Sequence, residues 1–143
     1  MEKTNAIIAI IANIHNSANK LIIEELKNHN LEGLFPSHGD ILILLYQNEY
    51  GVTMNKITSS INKDKSTVTA LVNKLVKMEL IEKFKNENDS RSTMVRLTKK
   101  GLDTKSSVDK ISEKLLGISY EGFSENEKEI VCSLLAKIKN NLR

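Results

Sequence analysis

Hydrophobic residues recur at spacings of three and four over residues 4–28, where Ile7, Ile11, Ile14, Ala18, Leu21, Ile22 and Leu26 line one stripe. This pattern predicts a helix of about seven turns. Ile8, Ile10 and Ile23 fall outside the stripe. A helix apolar on more than one side needs two neighbours, so this one is expected to pack on its own domain and on a second chain. The other end of the chain has the same character. Ser124 with Glu127 three residues on is a capping-box signature, and Ile130, Val131, Leu134, Leu135 and Ile138 then form an apolar stripe toward the C-terminus. One small core cannot easily cover both helices. The expectation is a dimer built from the termini, with Ile7, Ile11, Ile14, Ile130, Leu134, Leu135 and Ile138 as contacts.

Between these ends the helices are shorter. Phe35, Pro36 and Ser37 open one that runs to about residue 46, with Ile41, Leu42, Leu44 and Leu45 as its apolar side and Gly51 beyond its end. Thr53 caps the next, which runs to about residue 60, and a polar turn at 62–64 leads into a helix over about 65–78. Two helices joined by a short turn make a helix-turn-helix. On the second of them Val68, Leu71, Val72 and Leu75 must be buried, which leaves Lys65, Ser66, Thr67, Thr69, Ala70, Asn73, Lys74 and Lys77 outside. That outer face carries no acid. Hydroxyls and a lysine at the first turn, with free backbone N–H groups, suit a helix entering a major groove. Asn73 has the donor and acceptor to read an adenine edge, and Ala70 suits a thymine methyl. The same pattern also describes a solvated surface helix.

Residues 80–85 and 94–98 alternate apolar and polar as short strands do, and the eight residues between them, NENDSRST, are turn formers with no apolar member. A two-stranded hairpin after a helix-turn-helix is a wing. Arg91 near its tip suits a minor groove, with Asp89 two residues earlier to hold the guanidinium.

Composition narrows the classes. A chain of 143 residues has room for one main core. Six Gly, one Pro and 4% aromatic residues are too few breakers for a many-stranded β protein, so helices must dominate. The longest apolar run, residues 6–12, is about a third of a bilayer span, and Glu2 beside Lys3 is unlike a leader; neither a membrane span nor a signal peptide is expected. The single cysteine, Cys132, excludes an internal disulfide framework and suits a reducing cytosol. Residues 54–101 hold eleven Lys/Arg against five acids, while the other 95 residues hold ten against thirteen. A basic middle third in an acidic frame points to a polyanion partner.

The run at 64–83 (DKSTVTALVNKLVKMELIEK), followed by Asp89, Arg91, Ser92, Val95, Leu97, Thr98 and Gly101, resembles the winged helix-turn-helix of the MarR family of bacterial transcriptional regulators. The spacing D-x-R-S-x-x-V-x-L-T-x-x-G is that family's wing signature. The resemblance implies a mainly α fold, with about six helices and a two-stranded β wing in one 143-residue chain. Residues 37–101 would be the DNA-binding region, and 1–30 and 102–143 a helical dimerisation region. It also implies a cytoplasmic homodimeric repressor on double-stranded DNA with a pseudo-palindromic operator. Lys65, Lys74 and Lys85 would be phosphate contacts and Ser66, Thr67 and Asn73 base readers, with Thr69 and Ala70 on the same face and Asp89 supporting Arg91 in the minor groove. Relatives commonly release DNA on binding a small phenolic or anionic effector, for which His15 and Tyr46 are candidates. Ser90 and Ala70 depart from the usual basic or polar residues, and Met78-Glu79-Leu80 replaces a frequent glycine.

No cofactor is expected. Cys132 reads as a packed thiol in the last helix, and His15, His29 and His38 have no metal-ligand spacing. With no G-x-x-x-x-G-K, G-x-S-x-G or H-E-x-x-H, an enzyme is not expected. The competing class is a winged-helix adaptor that binds proteins and no DNA.

Overall fold

A 3-10 turn, Lys3–Ala6, leads into α1 (Ile7–Asn28) in the computed structural model, which describes residues 3–143. The chain then forms α2 (Pro36–Tyr46), β1 (Val52–Thr53), α3 (Met54–Ile61), α4 (Lys65–Lys77), β2 (Ile81–Asn86), β3 (Asp89–Leu97), α5 (Lys99–Asp103), α6 (Lys105–Ser119) and α7 (Glu125–Asn141). This is a mainly helical winged helix-turn-helix. The backbone divides into two compact units, Met1–Ile111 and Ser112–Arg143.

The first unit holds the core. Leu34, Ile41, Leu42, Leu45, Ile57, Val68, Val72, Leu75, Leu80, Ile81 and Val95 are fully buried, so the turn between α3 and α4 is fixed by one apolar cluster. Local chemistry sets the helix boundaries. Thr53 Oγ1 accepts from the Lys56 N–H at 3.0 Å, and Asn62 ends α3 in the left-handed region at φ 55°. Asp64 then caps α4. The far end of α4 closes in a Schellman motif: Leu80 N–H donates to the Leu75 carbonyl at 3.0 Å and Glu79 N–H to that of Val76 at 2.9 Å. Glu79 sits between them at φ 63°. The family's frequent glycine would take that conformation without strain, whereas a side chain there costs on the order of 1 kcal/mol.

Three expectations need correction. The wing is longer than alternation suggested: β2 and β3 pair from Ile81↔Leu97 out to Asn86↔Asp89, with a register shift at Lys85/Asn86, leaving only a tight turn at the tip. Its outer pairs are polar and gain nothing from the core, so hydrophobic periodicity does not mark them. The sheet has three strands in the order β1-β3-β2, because Val52 pairs with Val95 and Thr53 with Met94. The helical region expected from residue 102 begins earlier, at Lys99, as two helices, α5 and α6, separated at Thr104, whose hydroxyl donates to the Gly101 carbonyl at 2.6 Å.

Lys3–Asn28 is long and apolar enough to cross a membrane by length and composition, with a best-window mean hydropathy of 1.3. The expectation from the seven-residue run missed this, because a window average tolerates scattered polar residues. Asn13, His15, Asn16, Asn19 and Lys20 interrupt its middle, and such groups are costly in hydrocarbon. Its C-terminal end is seated in the domain, with Leu26 in the core and Ile22 against it. Ile7, Ile8, Ile10, Ile14 and Ile23 remain exposed.

In the second unit the Ser124–Glu127 capping box is formed in both directions, at 3.1 and 2.9 Å. α7 buries no residue; Ile130, Leu134 and Leu135 are exposed, and Val131 and Ile138 half-buried. Cys132 is likewise exposed, which corrects the expectation of a packed thiol. Its sulfur lies 3.1 Å from the Tyr120 hydroxyl, and this contact, above all, pushes the phenol pKa up.

Candidate nucleic-acid interface

Helix α4 presents its outer face as the apolar spacing requires. Val68, Val72 and Leu75 are fully buried, Leu71, expected with them, is only half-buried, and Lys65, Ser66, Thr67, Thr69, Ala70, Asn73, Lys74 and Lys77 are exposed. The cap of this helix is itself a carboxylate. Asp64 Oδ1 accepts the Thr67 N–H at 2.7 Å and the Ser66 hydroxyl at 2.8 Å. Those bonds, led by the Thr67 N–H, hold the Asp64 carboxyl below its ordinary range. The first turn is therefore already capped by the chain's own anion, a difference from the free N–H groups expected of it. Thr69 Oγ1 donates to the Lys65 carbonyl at 2.8 Å, which leaves that hydroxyl with acceptor capacity toward solvent.

Asn73 is engaged across the fold. Lys83 Nζ on β2 donates to Asn73 Oδ1 at 2.7 Å. Lys83 was not singled out from the sequence; its contact spans a helix end and a turn, and ten-residue separation carries no pattern. With Met54, Thr58, Lys65, Thr69 and Thr93 it lines a cleft of about 320 Å³ between α4 and the hairpin.

Along the hairpin the opposed pair Glu82 and Arg96 is bonded at 2.7 Å, and the Arg96 guanidinium stacks 4.3 Å over the Phe84 ring. Lys85 pairs with Thr93 and is exposed. At the tip Asp89 Oδ1 accepts from the Arg91 backbone N–H at 3.1 Å and from its Nε at 3.3 Å. One carboxylate thus holds both the turn and the side chain, while Arg91 stays 91% exposed.

On the other side of α4, Thr67, Ala70, Leu71 and Lys74 line a groove of about 400 Å³ with Gly33, Phe35 and His38. His38 is buried, and its Nδ1 accepts the Phe35 N–H at 2.8 Å, capping α2. Burial, and next the charge of Lys74, lowers the His38 pKa from its ordinary 6.5. The folded chain therefore keeps His38 neutral where the unfolded chain protonates it; the associated stability is present above pH 6.5 and is lost as pH falls from there toward the folded value. The wild type is expected to lose more Tm between pH 7.5 and 5.5 than a His38→Gln variant, whose amide oxygen still accepts from Phe35. Equal losses in circular-dichroism melts would reject the assignment.

The two effector candidates are not brought into either cleft. His15 is at the surface of α1, hydrogen-bonded to Asn19 at 3.2 Å, and the Tyr46 hydroxyl is 2.6 Å from Thr104 Oγ1. Among the described residues no group of three or more His, Cys, Asp or Glu is placed to hold a metal ion.

Comparison with known proteins gives the site a context. Residues 34–93, which include α2, the helix-turn-helix and most of the hairpin, match the model of the MarR family. The chain is 28% identical over 126 residues to the HTH-type transcriptional regulator SarZ of Staphylococcus aureus, covering 88% of this chain and 79% of SarZ. It is 26% identical over 110 residues to the uncharacterized HTH-type transcriptional regulator YdgJ of Bacillus subtilis, covering 77% of this chain but 66% of that relative. Among solved structures, a cysteine-to-serine mutant of Escherichia coli MarR complexed with operator DNA shares the fold, with a TM-score of 0.82, 19% identity and coverage of 96% and 99%.

Proposed function

We propose that the chain is a transcriptional regulator of the MarR family, whose model its residues 34–93 match, and that it acts as a cytoplasmic, ligand-responsive repressor that binds a pseudo-palindromic operator as a homodimer. The observation that carries the reading is the outer face of α4. Eight exposed residues without an acid lie beside a hairpin that ends in an exposed arginine. A protein-binding adaptor has no need to keep such a phosphate-compatible surface. In the proposed complex each α4 enters a major groove, with half-sites about one turn, roughly 34 to 36 Å, apart. Lys65, Lys74 and Lys85 neutralise phosphates, and Ser66, Thr67 and Asn73 meet base edges, with Thr69 and Ala70 beside them. Asp89 aims Arg91 at a minor groove, whose negative potential favours guanidinium.

The homodimer rests on α1 and α7. Each carries exposed isoleucine or leucine side chains at helical spacing, and burying one such side chain contributes roughly 1.5 to 3 kcal/mol. Residues 1–30 and 102–143 are accordingly the proposed dimerisation region, and 37–101 the DNA-binding region. Release by a small phenolic or anionic effector is part of the proposal and rests on the family. The family is one of regulators, not of enzymes.

Fluorescence anisotropy against the DNA upstream of the chain's own gene and a scrambled duplex, at two salt concentrations, tests this. Preference for the upstream DNA by about 10³, with a steep salt slope, supports the regulator. A folded dimer that binds neither duplex at low salt is an adaptor instead. In the same assay Arg91→Ala is expected to weaken operator binding about tenfold with the fold intact. Unchanged affinity removes the hairpin from the interface.

A further inference from the structure

We propose that Asn73 and Lys83 read one base together and that their target is a guanine, an inference that rests on the DNA-binding reading above. The amide of Asn73 is commonly suited to adenine, because adenine offers N7 as acceptor and its N6 amino group as donor. Reading both needs Oδ1 and Nδ2 free at once. Here one lone pair of Oδ1 is taken, since Lys83 Nζ donates to it at 2.7 Å, and an adenine amino group approaching the other would meet the positive charge of that ammonium. An ammonium has only donors, so the atom facing it must be the amide oxygen, and the orientation of the amide follows from chemistry. The bond is charge-assisted and stronger than the neutral one an adenine amino group would put in its place.

Asn73 keeps its Nδ2–H donors and Lys83 two further N–H donors, against one remaining lone pair of Oδ1 that lies beside the ammonium. The pair is a donor-rich, positively charged surface. Guanine, with O6 and N7 as adjacent major-groove acceptors, matches it with one bond from each residue. Thymine offers a single acceptor, O4; adenine and cytosine each bring an amino donor against donors. The expected order at this position is guanine, then thymine, with adenine and cytosine last.

The setting agrees. Asn73 lies on the exposed face of α4 with Ser66 and Ala70, and Lys83 is exposed and lines the cleft shared with Lys65, Thr69 and Thr93. A strand residue outside the helix-turn-helix thereby sets the specificity of a helix residue, through a hydrogen bond that orders the amide before DNA arrives.

The test uses the full-length protein and the duplex it prefers in the upstream DNA, with all four base pairs placed in turn at each half-site position. Asn73→Ala identifies the position, as the one whose preference it relaxes. There the wild type is expected to favour guanine over adenine about tenfold, and Lys83→Met, which removes the donors but keeps the stem, to lose that preference and gain for adenine. Loss of affinity for scrambled DNA should be small and alike at every sequence. A wild-type preference for adenine at that position, or a base preference unmoved by Lys83→Met, overturns the proposal while leaving the regulator intact. Absence of any position relaxed by Asn73→Ala in a protein that still prefers the operator removes Asn73 from the readout. No preference for any duplex by the wild type defeats the regulator itself, and this inference with it.

Discussion

An Ile130→Glu, Leu134→Glu double variant is expected to be a monomer that keeps its helices and loses operator affinity by about 10² to 10⁴. The two side chains are four residues apart on one face of α7, a helix that buries nothing within its own chain. Neither charge therefore enters an existing core. In a dimer interface both would be desolvated without partners, against the roughly 1.5 to 3 kcal/mol each native side chain gains there. The expected fall in affinity comes from lost linkage: in a dimer the second half-site is bound at the high effective concentration that the first supplies. Sedimentation equilibrium and circular dichroism check the two halves of the claim. An Ile130→Ser, Leu134→Ser variant repeats the test with a milder change if the glutamates unfold the chain. A dimer that survives both substitutions places the interface away from this face of α7.

Legibility in the sequence followed the physics of burial. The α4 face was readable because Val68, Val72 and Leu75 repeat with the helical period and are all fully buried, so the remaining positions had to face outward. The caps Thr53 and Ser124 are similarly local, each joined to an N–H three residues on, whereas Asp64, which caps α4 in the same way, reads in the sequence only as part of a polar turn. The outer hairpin was not readable, since Lys85 pairs with Thr93 and Asn86 with Asp89 across a register shift and no buried side chain marks that register. β1, two residues long, exists only because Val52 meets Val95 across the sheet. Departures from the family pattern were visible as letters, but the cost at Glu79 required its φ of 63° to be seen. Side-chain pairings such as Lys83 with Asn73 lie beyond pattern altogether, because rotamers and a helix-to-strand turn decide them.

The L-T-x-x-G end of the wing signature gives the second large effect: Gly101→Ala is expected to destabilise the chain by about 3 kcal/mol or more. Gly101 is buried, and a Cβ built on it would lie 1.8 Å from the Leu80 carbonyl oxygen, 2.8 Å from its carbon and 3.0 Å from Leu97 Cδ2. The first two neighbours are backbone, which cannot rotate aside. They also belong to the clasp that closes the base of the hairpin on the end of α4. Thr98 N–H donates to the Leu80 carbonyl at 3.1 Å, Thr98 Oγ1 to that of Glu79 at 2.6 Å, and Lys100 Nζ to that of Met78 at 3.1 Å. Thr98 Oγ1 also accepts the Gly101 N–H at 3.0 Å and so caps α5. A methyl at Gly101 must push α5 from Leu80 and open these bonds together, exposing the carbonyls of Met78, Glu79 and Leu80, just past the end of α4, that they satisfy. Operator affinity of the folded fraction should fall as well, because the hairpin loses its fixed angle to α4. Gly117→Ala is the matched control: it lies within α6 with nothing inside 4 Å of the added Cβ, and relief of glycine's backbone entropy should stabilise by roughly 0.5 to 1 kcal/mol. Urea unfolding of both variants beside the wild type should therefore move the midpoints in opposite directions. Midpoints that move together would show that the clasp yields to a methyl group, and that the glycine of the signature is kept for some reason other than this close approach.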